Sequence, residues 1–145
     1  QLGAVLGGKT QAEEERLAAY GLNAGLAFQV IDDLLDFIGS PDRLGKPVVS
    51  DLREGKVTLP LVYALEMTGA DGRQKVERVL REKGFRSFKA EEIVRLVQES
   101  GAVERTRARA EELATAALRQ LEPFPDSVFK RALEAVPVFV LSRDR

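Results

Sequence analysis

Apolar residues recur along this chain at the three- and four-residue spacing of helices, and no run shows the sustained alternation of a strand. Leu2, Val5 and Leu6 read as the last turns of a helix stopped by Gly7-Gly8. Thr10 and Glu13 then form a capping box, with Glu14 and Glu15 adding favourable charge to a first turn. From Gln11 to about Ile38 the pattern predicts one long helix, closed by Gly39-Ser-Pro41. Within it, Gly21 and Gly25 lie four apart and suggest close approach of another helix. Residues 39–57 carry Gly39, Pro41, Gly45, Pro47 and Gly55, which predict an irregular connection. Long connections of that kind inside a compact domain are usually functional or disordered.

Beyond it, Thr58 is placed to cap a helix running to about Thr68, with Pro60 in its first turn. Gly69-Ala-Asp-Gly72 reads as a turn, followed by a helix to Lys83 that turns Val76, Val79 and Leu80 inward. Further helices are predicted over Ala90–Glu99 and Ala102–Leu121, and a last one is capped by Ser127 and interrupted by Pro137. On the Ala102–Leu121 helix, Arg105, Arg107 and Arg109 interleave with Glu104, Glu111 and Glu112, which favours a solvated face over an anion patch. The expected fold is all-α, a layered helical bundle, with residues 1–145 as a single unit.

Composition removes several chemistries. With 145 residues the chain has room for one domain with a real core. Its net charge of −1 gives no basic field for nucleic acid, so an anionic ligand must be held by local groups. The absence of cysteine removes disulfides, zinc-thiolate sites and thiol nucleophiles. The absence of histidine removes the usual general base and the usual zinc ligand. No signal-like segment and no apolar run of about 18 residues occurs, so the expected setting is cytosolic, without an integral membrane segment. The opening octapeptide reads like the end of a helix, which suggests the carboxyl-terminal piece of something longer.

One stretch stands out, Phe28-Gln-Val-Ile-Asp-Asp-Leu-Leu-Asp36. Asp32 and Asp36 are four apart and share a helix face with Asp33 and Gln29. Leu26, Val30, Ile31, Leu34, Leu35, Phe37 and Ile38 surround the axis, so the segment is expected to be buried on most sides. No lysine or arginine occurs between Arg16 and Arg43, so these acids have no ion-pair partner on their own helix. Partly buried like charges are costly, and divalent cations relieve them. Carboxylates are the hard oxygen donors that magnesium prefers. A solvated acidic face is the plainer alternative.

The loop sharpens that reading. The aspartate stretch is followed by Gly45-Lys-Pro-Val, Ser50-Asp-Leu-Arg-Glu-Gly-Lys56 and Thr58-Leu-Pro-Leu61. Together these closely resemble the trans-type polyprenyl diphosphate synthases, head-to-tail prenyltransferases. The likeness runs through residues 1–68 and returns in the tail Phe139-Val-Leu-Ser-Arg-Asp-Arg145. It implies an isoprenoid-synthase bundle, of which this chain would be the carboxyl-terminal half. It implies that Asp32, Asp33 and Asp36 are the second of two aspartate-rich motifs, holding magnesium ions that bridge an allylic diphosphate. Lys46 and Lys56 would touch that diphosphate. Gln29 would aim its amide oxygen at the developing allylic cation, and Arg143 and Arg145 would approach the diphosphate of isopentenyl diphosphate. The full-length enzyme would be a homodimer.

Departures from the family pattern are specific. No other Asp-Asp occurs in the chain, so the first aspartate-rich motif is absent, as are the family's amino-terminal Gly-Lys and arginine contacts and its Lys-Thr pair. Val49 stands where the family often carries glycine. The chain is therefore expected to hold half a site and to be inactive alone. The alternative is a non-catalytic subunit of a heteromeric synthase, which an intact second motif argues against. A terpene cyclase ranks last, because that group lacks the Gly-Lys to Thr-Leu-Pro loop.

Overall fold

The computed structural model describes residues 2–39 and 49–143. Among these the fold is all-α: α1 (Leu2–Leu6), α2 (Gln11–Ile38), α3 (Ser50–Arg53), α4 (Leu59–Glu82), α5 (Ala90–Glu99), α6 (Ala102–Leu121) and α7 (Val128–Ser142). The expected all-α bundle is what the structure shows, and no described residue lies in a strand.

Local chemistry explains most of the boundaries. At α2 the capping box is complete: the Thr10 amide donates to Glu13 Oε2 at 2.9 Å, and the Glu13 amide donates to Thr10 Oγ1 at 3.4 Å. The Thr10 backbone and hydroxyl donors, with Lys9 nearby, hold the Glu13 carboxyl below its ordinary value. Ser127 caps α7 by accepting from the Lys130 amide at 3.1 Å. Thr58 occupies the cap position of α4, but its hydroxyl makes no capping bond and is buried without a partner.

The expected break after Thr68 is present but narrower than Gly69–Gly72: α4 is two helical segments that meet at Gly69, which takes φ 66°, ψ −136°, a conformation open to glycine. Two expectations are corrected. Gly21 and Gly25 receive no neighbouring helix among the described residues; open space lies where a Cβ would stand. Pro137 does not interrupt α7, which is continuous from Val128 to Ser142. A proline supplies no amide to the carbonyl four residues earlier, which here is that of Leu133. The Tyr20 hydroxyl fills the gap, donating to Leu133 O at 2.8 Å.

The contacts group into two units. The first comprises residues 1–29 and 109–143. Its core is Tyr20, Ala24, Ala117 and Leu121, with Leu17, Phe124 and Leu133 packed against them. The second comprises residues 30–108. There Leu34 and Phe37 of α2, Val49, Leu52 of α3, Leu61, Ala64, Val76 and Val79 of α4, Ile93 and Val97 of α5, and Ala102 and Val103 of α6 form one continuous core. Helix α4 packs on both α3 and α5. Arg105 lies over the Tyr63 ring at 3.9 Å and pairs with Glu66 at 2.6 Å, while Arg109 pairs with Glu112, in keeping with a solvated face.

Candidate functional site

The aspartate stretch divides by burial. Asp36 is fully buried, Asp32 and Asp33 are half-buried, and Gln29 is exposed. The helix around them is buried at Val30, Ile31, Leu34 and Phe37, but Leu26 and Phe28 are each 44% exposed, so the apolar sheath is open at its amino-terminal end.

Asp36 accepts three hydrogen bonds through its side chain. Its Oδ1 accepts from the Ser50 amide at 3.1 Å and from the Ser50 hydroxyl at 2.8 Å, and its Oδ2 accepts from the Asp51 amide at 3.1 Å. Its main-chain carbonyl accepts from the Val49 amide at 3.0 Å. Sequence reasoning sought partners on the helix itself and missed these, which lie 13 to 15 residues along the chain. It also missed α3, whose start is marked by Ser50-Asp51, a pair favoured at helix beginnings.

Val49 precedes α3 in a strained backbone. It adopts φ 57°, ψ 36° and is fully buried. That left-handed conformation is easy for glycine and strained for a β-branched residue, at about 1–2 kcal/mol. The valine side chain belongs to the same buried core as Leu52 and Phe37.

Lys56 follows α3 on the surface. Its Nζ lies 2.8 Å from Glu54 Oε2 and 3.3 Å from Asp51 Oδ1. Glu54 first, then Asp51, raise its pKa above the ordinary lysine value, so the ammonium stays charged. The Lys56 amide also donates to Asp51 O at 2.9 Å, so Asp51 holds this lysine by main chain and side chain together. In the first unit, the Arg143 guanidinium stacks on Phe28 at 4.6 Å. Lys46 and Arg145, also expected to meet diphosphates, lie outside the described residues.

The fit to a divalent cation is partial. Among the described residues no three carboxylates are gathered so as to hold one ion. Asp36 directs both oxygens into α3, while Asp32 and Asp33 are the motif's two half-buried carboxylates. None of the described helices is long and apolar enough to cross a membrane.

Comparison with known proteins adds kinship to this geometry. Residues 1–97 match the family described as polyprenyl synthetase. The chain is 39% identical over its full length to octaprenyl diphosphate synthase of Escherichia coli K12, of which it covers 45%. It is 37% identical over 140 residues to the all-trans-nonaprenyl-diphosphate synthase (geranyl-diphosphate specific) of Rhodobacter capsulatus, covering 42% of that protein. The crystal structure of a polyprenyl synthase from Caulobacter crescentus CB15, complexed with calcium and isoprenyl diphosphate, matches with a TM-score of 0.88 at 38% identity. That match covers 99% of this chain and 44% of the other. The chain spans less than half the length of these relatives.

Proposed function

We infer function from kinship: the chain belongs to the polyprenyl synthetase family, its residues 1–97 matching that family. The proposed activity of the complete enzyme is condensation of isopentenyl diphosphate with an allylic diphosphate. The observation that carries this reading is the pair of half-buried aspartates, Asp32 and Asp33, in a chain whose following loop holds a charged lysine, Lys56, against two carboxylates.

The chemistry sets the requirements. A diphosphate departs from an allylic carbon only if its growing charge is neutralised, in a place that excludes water. Magnesium held by Asp32 and Asp33 would supply Lewis-acid charge to that leaving group. Lys56 would add a fixed positive charge, exchanging its contacts to Glu54 and Asp51 for phosphate oxygens. At an effective dielectric near 20, one charge pair at ~4 Å contributes about 4 kcal/mol, so a few such contacts decide the rate. Lys46 would act likewise. Gln29, one helical turn before Asp32, would offer its amide oxygen to the developing cation, and Arg143 would approach the diphosphate of isopentenyl diphosphate. The proton released after carbon–carbon bond formation would pass to the departing diphosphate.

Residues 1–145 contain one aspartate-rich motif where the family uses two facing each other, so they are proposed to be inactive alone. The purified chain, given both diphosphates and magnesium, is expected to form no product; robust turnover overturns that part of the reading. In the complete enzyme, Asp32→Ala should lower turnover by roughly two to three orders of magnitude, the typical loss for one transition-state charge contact. Unchanged turnover at saturating magnesium removes Asp32 from the site.

A further inference from the structure

We propose that Asp36, although it belongs to the aspartate-rich motif, is a positioning residue that clamps α3 and through it places Asp51 and Lys56, and is not a metal ligand. The proposal rests on the reading above in taking Asp32 and Asp33 as the metal-holding pair. The clamp itself stands on geometry.

Helix α3 has four residues and begins after Val49, whose side chain has no oxygen to accept from the first amides. Amides at a helix start need acceptors from somewhere, and usually the residue at the cap supplies one. Here the acceptor comes from α2. Asp36 takes the Ser50 amide and hydroxyl on one oxygen and the Asp51 amide on the other. A carboxylate offers about four lone-pair sites, and three are filled. The side chain is 0% exposed. Magnesium keeps several of its waters and binds carboxylates at an open edge, so a sealed carboxylate with one lone pair left is a poor ligand for it. A buried carboxylate satisfied by three donors is instead well suited to holding backbone in place.

What it holds is informative. The Asp51 amide is fixed by Asp36, while the Asp51 carbonyl and carboxylate accept from the Lys56 amide and ammonium at 2.9 and 3.3 Å. One short path thus runs from the motif's last aspartate to the loop lysine. The motif then divides its labour: Asp32 and Asp33 face the ligand, and Asp36 fixes the loop that meets it.

Amide hydrogen exchange on the metal-free 145-residue chain, read by NMR, tests the clamp directly. Asp36→Asn presents an amide donor where one backbone donor now points. It should speed exchange at Ser50 and Asp51 at least tenfold, leave the middle of α2 unchanged, and shift the Lys56 Cε–Nζ resonance as Asp51→Asn does. Ser50→Ala, a milder change should the first variant unfold, should speed the same amides about threefold. Manganese titration followed by electron paramagnetic resonance supplies the second arm: affinity should fall at least tenfold in Asp32→Asn and less than threefold in Asp36→Asn. Unaltered exchange at Ser50 and Asp51 in Asp36→Asn overturns the clamp. Manganese affinity lost equally in both variants overturns the division of labour. Failure of the unaltered chain to bind manganese counts against the metal reading of Asp32 and Asp33, and the exchange data then decide the clamp alone.

Discussion

The two units of this chain bury their apolar residues to very different degrees. In the second, fully or nearly fully buried side chains from α2 through α6 form one core, and among the described residues only Val57, Val62 and Met67 are large apolar side chains left exposed. In the first, Leu2, Val5, Leu6, Leu22, Leu26, Phe28, Val128, Phe129, Val136, Val138 and Phe139 are all exposed, several by more than 60%. Its core residues Leu17, Leu121, Phe124 and Leu133 border a cavity of about 260 Å³. Scattered exposed apolar residues are ordinary, but so many within one unit mark a surface suited to a partner. The contrast teaches that core and contact surface are distributed separately: the second unit holds the larger core, and the first presents apolar surface.

Substitutions can break that contrast. Ile93 is 0% exposed in the second unit's core, so Ile93→Ala should cost about 2–5 kcal/mol in a denaturant titration. A loss below 1 kcal/mol would mean that this core is far looser than its burial implies. Next in size is Tyr20→Phe, which orphans the Leu133 carbonyl and should cost about 1–2 kcal/mol. In a Pro137→Ala background, where residue 137 regains an amide for that carbonyl, the same change should cost clearly less. Equal costs in both backgrounds would dissolve the link between the phenol and the proline. Burial also raises the Tyr20 pKa above its ordinary 10.0, favouring the neutral phenol in the fold. That contribution is complete below about pH 10 and is lost as pH rises toward the folded value, so Tyr20→Phe should flatten the alkaline fall in melting temperature. The smallest stability effect belongs to Phe139→Ser at a 67% exposed position, within about 0.5 kcal/mol. Its consequence should be reduced self-association in analytical ultracentrifugation, and an unaltered sedimentation profile would show that this face attracts nothing.

What could be read in advance follows a physical divide. Helix α2 was legible from end to end because its start is a local capping box and its end a local glycine. Helices α5 and α6 were legible for similar reasons, their amphipathic spacing lying between glycine and serine breaks. Helix α3 was hidden among breakers because its cap is supplied by a residue 14 positions earlier. The continuity of α7 through Pro137 was hidden too, since the compensating donor, Tyr20, is 113 residues away from Leu133. The same holds for the site. The aspartates could be picked out by type and spacing, and Lys56 by the family resemblance, yet nothing in the spacing distinguishes Asp36, which faces α3, from Asp32 and Asp33. Hydrogen bonds that close over a distance in sequence leave little trace in pattern.

Val49 carries a dynamic consequence. A β-branched residue in the left-handed region raises the energy of the docked state by about 1–2 kcal/mol relative to glycine. That energy is released whenever residues 49–53 leave α2 and Val49 relaxes to an ordinary backbone angle. The free energy of local opening is therefore lower here than the buried contacts alone would set it, and α3 should breathe ahead of the core it covers.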